Sequence, residues 1–119
     1  MKKIVLVIML SLLSLTATAQ EVDRIFETGK IVRIVPAGEQ FISIWLDGTD
    51  ETSFCSGGAR WTINKQNDEL SEEKYSLILA AATTGQTVTF MHLVSRGCSN
   101  WDSNRLYYVD VRFDGSLDN

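Results

Sequence analysis

Hydrophobic and polar positions alternate with different periods along this chain, and the changes of period mark its elements. Positions 4–15 are apolar except for Ser11 and Ser14. Lys2 and Lys3 precede this run, and Ala17-Thr18-Ala19 closes it. A positive start, an apolar stretch of about 12 residues and small residues at its end make a secretory leader, expected to be cleaved after Ala19. Crossing a bilayer needs about 20 apolar residues, so the run is too short to anchor the chain. Position 20 is Gln and not Cys, which gives a lipid anchor no attachment point. The expected organisation is a signal peptide at 1–19 and a single domain at 20–119, periplasmic or secreted, with no membrane insertion after cleavage.

Past the leader, Val22, Ile25 and Phe26 fall at roughly helical spacing in a polar stretch, read as a short helix or a docked arm over 20–28. A β-branched run at 30–35 stops at Pro36-Ala37-Gly38. Proline cannot donate to a strand ladder and glycine permits a turn, so a hairpin is predicted. Strand two, 40–46, alternates Ile42, Ile44 and Leu46 against Phe41, Ser43 and Trp45. An acidic turn at 47–51 and Gly57-Gly58 lead to a third strand at 60–64.

The spacing Tyr75, Ile78, Leu79, Ala82 then predicts a helix over 71–84, with Ser71 as N-cap, Glu72 and Glu73 in the first turn and Gly85 as the stop. Strand four, 87–94, carries Val88, Phe90 and His92 on one side. A polar loop at 95–104 follows, and strand five, 106–113, places Tyr107, Val109, Val111 and Phe113 on one face. Three strands, a helix and two strands form a mainly β (α+β) domain. That order is the one of an OB-fold, a five-stranded Greek-key barrel with one helix between strands three and four; the alternative is another α+β sheet with one helix packed on it.

Charge and cysteine content narrow the function classes. The chain carries 11 Lys and Arg against 15 Asp and Glu, a net charge of −4. Losing Lys2 and Lys3 with the leader takes the domain to about −6, with its cations scattered. Nucleic acid is not expected as a partner, because that binding draws on clustered cations and counterion release. Cys55 and Cys98 are the only cysteines. In an oxidising compartment they are expected to pair, closing a loop of about 44 residues worth on the order of 4 kcal/mol. Two distant cysteines and one histidine cannot complete a four-ligand zinc site. No metal and no cofactor are expected.

Catalytic chemistry is hard to assemble from these residues. His92 is the only imidazole, and its place in a strand reads as structural rather than as a general base. The carboxylates Asp47, Asp50 and Glu51 read as a solvated turn, their spacing falling short of a calcium loop. The protein is expected not to be an enzyme. Its three tryptophans are more suggestive. Trp101 stands between Asn100 and Asp102 in the loop that holds Cys98. A flat apolar ring beside fixed amides and carboxylates suits a sugar, whose C–H face stacks while its hydroxyls take the hydrogen bonds. Trp101 could equally fold back to cover the disulfide. Trp45 and Trp61 read as packing or interface residues. The ligand-binding candidates are Trp101, Asn100 and Asp102, then Trp61 and Arg60.

The stretch Ile78-Leu79-Ala80-Ala81-Ala82-Thr83-Thr84-Gly85-Gln86-Thr87-Val88, flanked by Cys55, Cys98 and Tyr107-Tyr108-Val109, resembles small exported gammaproteobacterial proteins of unknown function. More distantly, Thr83-Thr84-Gly85-Gln86-x-Val88 and the element order are similar to the binding subunits of pertussis-like and subtilase-type toxins. That resemblance implies an exported OB-fold that binds cell-surface glycans and forms a homo-oligomeric ring. The function expected is thus a non-catalytic module binding a glycan or other surface ligand. The alternative is a periplasmic protein-interaction domain, an inhibitor or accessory subunit with a protein ligand.

Overall fold

The computed structural model describes residues 23–48 and 55–117. The leader, Gln20 to Val22, and the acidic residues Asp50 and Glu51 lie outside the described residues. Among the described residues six strands and one α-helix follow in order: β1 (Arg24–Ala37), β2 (Phe41–Leu46), β3 (Trp61–Asn64), α1 (Ser71–Thr84), β4 (Thr87–Leu93), β5 (Asn104–Arg105) and β6 (Tyr108–Val111). Cys55 and Cys98 form the disulfide. Among the described residues no helix is long and apolar enough to cross a membrane.

The first correction concerns β1. The stretch expected as a helix or arm is strand from Arg24 onward, paired antiparallel with β4, Phe26 opposite Met91. Local spacing favours a helix, but the partner strand supplies a ladder and the inward side chains follow period two. The same strand then turns to β2, Ile31 facing Leu46 and Arg33 facing Trp45, with a bulge between them. Gly29 sits at the handover. A Cβ there would lie 2.7 Å from the Asp47 carbonyl oxygen, so only glycine lets the end of β2 approach this closely.

The predicted last strand divides in two. Leu106 turns fully into the core, and its N–H donates to the Thr62 carbonyl on β3 at 3.1 Å, while the next N–H, from Tyr107, donates to Met91 on β4 at 3.0 Å. The segment therefore changes partner at that point. Its first part, β5, runs parallel to β3; its second, β6, runs antiparallel to β4. The resulting sheet has the order β5-β3-β2-β1-β4-β6. It has six strands and is not closed, so it departs from the five-stranded barrel expected. The two strands ending the order are separated by only Leu106 and Tyr107 along the chain.

One face of the sheet and the helix enclose the core: Ile42, Ile44, Leu46, Trp61, Ile63, Ile78, Ala81, Val88, Phe90 and Leu106. The helix meets it with a face turned from the one expected. Ser71, Lys74, Ile78 and Ala81 are buried, whereas Leu79 is 44% exposed. Lys74 can sit inward because its ammonium donates to the Leu106 carbonyl at 3.3 Å. Ser71 does not cap the helix. Leu70 occupies that position in the left-handed region (φ 53°), and the Ser71 hydroxyl donates to the Lys65 carbonyl at 3.1 Å. Gly85 does end the helix, left-handed at φ 67°.

Candidate functional site

The outer face of β1, β2 and β3 carries the feature with most chemical content. The bulge at Val32 shifts the phase of β1, so that Arg33 points outward opposite Trp45. On the other side of β2, Ile44 faces Trp61, which places Arg60 beside Trp45 in the same cross-strand row. The Arg33 guanidinium carbon lies 4.5 Å from the Trp45 ring centroid, and that of Arg60 lies 5.0 Å from it. Arg60 also lies 4.6 Å from the Trp101 ring. Trp101 in turn meets Phe41 edge to face at 5.5 Å. Cations over indole faces are attracted by the ring quadrupole, by about 0.5–1 kcal/mol each at exposed sites. The row thus runs Arg33, Trp45, Arg60, Trp101, Phe41.

Trp101 reaches this position because its loop is tied down from several directions. Cys98 is bonded to Cys55. The Gly57 N–H donates to the Asp102 carbonyl at 2.7 Å, and the Ser56 hydroxyl donates to the Asp102 carboxylate at 3.1 Å. Ser103 Oγ lies 2.6 Å from Thr62 Oγ1 and 2.6 Å from the Asn100 carbonyl. A hydroxyl has one proton, so Ser103 donates to the carbonyl and accepts from Thr62. The loop covers Thr62, an outward-facing residue that is fully buried and in contact with Ser103. Trp101 and Asp102 are both held in the left-handed region, φ 60° and 49°. For non-glycine residues this costs of order 1–3 kcal/mol each, and such residues concentrate at binding and switch sites. Trp101 remains 49% exposed.

The other expected site residues fall in different places. Asn100 is exposed and, with Asn64, Asn67 and Ser99, lines a polar depression of about 250 Å³. Asp102 is exposed, with its carboxylate engaged by Ser56 as above. Arg60 is half-buried within the row. Trp61 stands apart from the others: it is fully buried, its Nε1 donates to Glu27 at 2.9 Å, and its ring packs edge to face on Phe90 at 5.4 Å. It offers no face to an external ligand. Arg33, Trp45 and Phe41 join the site in its place. The signal for Arg33 is a charge set between the β-branched residues Val32 and Ile34, but the bulge that turns it outward leaves no mark in the sequence.

His92 is fully buried. Its Nδ1 lies 3.1 Å from the Arg105 backbone nitrogen and 3.2 Å from the Arg105 carbonyl oxygen, and its Nε2 lies 3.9 Å from Cys55 Sγ. Burial holds its pKa below the ordinary histidine value. Lys74 is likewise held low by burial, against the pull of Asp68 and Glu69. Asp47 is exposed at the end of β2; its partners in the calcium pattern lie outside the described residues. No family model, curated protein or solved structure matches this chain.

Proposed function

We propose that this chain is an exported, non-catalytic binding module that takes a glycan on the Trp101 ring. The observation that carries the reading is a half-exposed indole held in a left-handed backbone by a disulfide-tied loop. A tryptophan needed only to cover the bridge would gain most by full burial. Holding an aromatic face toward solvent at a conformational cost is what a stacking platform requires. Asn100 and its polar depression supply hydrogen-bonding groups alongside. The disulfide fits an oxidising compartment, in keeping with removal of the leader at 1–19 and a periplasmic or secreted location.

The finer fold assignment belongs to the same reading. One short segment pairs with β3 at its start and β4 at its end, as the last strand of an OB-like Greek key would do. This supports the likeness to toxin binding subunits and, with it, assembly into a ring. The test is a glycan array probed with the exported protein and with Trp101→Ala, whose folding is checked by circular dichroism. Wild-type hits that the variant loses uphold the reading; an empty array overturns it.

One observation favours the second reading, a protein partner. Phe26, Met91 and Tyr108 form a single cross-strand row over β1, β4 and β6, and Phe26 and Tyr108 are 56% and 43% exposed. Light scattering coupled to size exclusion, repeated on Phe26→Ser, reports whether this row joins copies. Capture of one stoichiometric periplasmic partner, lost in the same variant, would favour the protein-interaction domain.

A further inference from the structure

We propose that Arg33 and Arg60 form an oxyanion subsite, so that the preferred ligand is a saccharide bearing a carboxylate or sulfate. This rests on the glycan reading of Trp101 and specifies its chemistry. Among the described residues, Arg96, Arg105 and Arg112 each pair with a carboxylate, at 3.0, 2.6 and 3.1 Å. No described carboxylate pairs with Arg33 or Arg60, although the chain as a whole is acidic.

Their environment fixes what they can do. Both guanidiniums lie over the Trp45 ring, so they stand within about 10 Å of each other and repel. An oxyanion bound at their outward edges relieves that repulsion. Stacking uses the flat face of a guanidinium and leaves its N–H edge free to donate in the plane, the geometry that matches carboxylate and sulfate oxygens. The aromatic contacts hold both side chains in place, which lowers the ordering cost on binding. Trp101, the other neighbour of Arg60 in the row, puts a sugar-binding face next to the charge. A saccharide ring on Trp101 therefore has its acidic substituent within reach of Arg60, then Arg33.

The test compares probes that differ in charge alone, using protein exported from the full-length chain. Polygalacturonate is set against its methyl ester, and dextran sulfate against dextran, by calorimetry or biolayer interferometry. The acidic form of at least one pair should bind about tenfold or more above its neutral form, the size of a charge-assisted hydrogen bond. The double variant Arg33→Gln/Arg60→Gln should remove that difference, while Lys65→Gln, an exposed cation outside the row, should leave it intact. The carboxylate and sulfate arms show which oxyanion is preferred. Equal binding of acidic and neutral forms overturns the subsite but leaves the glycan reading standing. A preference that survives the double variant also overturns it. Failure of all four probes to bind overturns the subsite as well, and together with an empty glycan array it removes both readings.

Discussion

Replacing Gly57 by Ala tests whether the Trp101 platform depends on one close backbone approach. A Cβ at position 57 would lie 2.4 Å from the Trp101 carbonyl oxygen and 2.6 Å from that of Asp102. Both neighbours are backbone, so no rotamer change can make room. The 101–102 backbone must withdraw by roughly 1 Å to restore ordinary contact, and the hydrogen bond from Gly57 to Asp102 goes with it. Overpacking of this kind costs about 1–3 kcal/mol, and a lost hydrogen bond adds about 1 kcal/mol. The expected destabilisation is therefore about 2–4 kcal/mol.

Gly58→Ala is the natural control. Gly58 is left-handed, at φ 72°, and a methyl group there would meet nothing within 4 Å. Its replacement costs about 1 kcal/mol through backbone conformation and leaves the loop where it is. Urea denaturation gives both numbers, provided the slopes agree. Iodide quenching, compared in wild-type and Trp101→Phe backgrounds, reports the ring's exposure. Gly57→Ala should change the quenching of Trp101; Gly58→Ala should not. A Gly57→Ala protein less than about 0.5 kcal/mol from wild type, the scatter of a neutral surface change, with quenching unchanged, would refute the claim that this approach sets the platform.

Three further outcomes are expected. His92 is held below its ordinary pKa by burial, so the unfolded chain takes up the proton more readily; stability should be level above about pH 7 and fall as the pH drops through about 6.5, by up to about 1.4 kcal/mol per unit. Urea midpoints across the range from about pH 5 to 8 check this, and His92→Gln should remove that component of the slope. On the helix, Ile78→Ala should cost about 2–5 kcal/mol and Leu79→Ala less than about 1 kcal/mol, since the first is buried and the second 44% exposed; equal losses would return the helix to the orientation its sequence spacing suggests. Exchange of both Cys55 and Cys98 for Ser should cost about 4 kcal/mol by chain entropy, read from the same denaturation curves, and leave the Trp101 ring with fewer ties.

Most of the sheet can be read from the pattern of the chain, because strands β2, β3 and β4 have one face in the core and their alternation declares it. Ile42, Ile44 and Leu46 share the face that the alternation assigns to one side, and all three are buried, as are Val88 and Phe90. The reading fails where a residue's partner, and not its own spacing, decides its state. Arg24 to Thr28 look helical locally, but pairing with β4 makes them strand. Lys74 lies inward at a position that spacing gives to solvent, because the Leu106 carbonyl is there to accept its hydrogen bond. Likewise 106–113 alternates as one strand would, yet Leu106 and Tyr107 donate to opposite edges of the sheet and break it.

The candidate site shows the same division more sharply. Trp101 is visible as a residue type in the loop that holds Cys98, since an aromatic among amides and a crosslink is a local signal, and Arg60 follows the other cysteine at the start of a predicted strand. Arg33 is not, because its orientation comes from one extra residue in β1. Without the bulge, Val32 would face Trp45 and Arg33 would point toward the core, where an unpaired guanidinium costs several kcal/mol. The bulge thus moves a charge from a place it cannot occupy to one where the Trp45 indole and a second arginine give it a role. Deleting Val32 removes the extra residue and leaves Ile31 opposite Leu46 and Arg33 opposite Trp45 in an unbroken ladder, so the row should keep both arginines. The folded deletion variant should discriminate acidic from neutral saccharide as wild type does, in the same calorimetric comparison; loss of that discrimination would show that the register of Arg33 is not what the bulge supplies to the row.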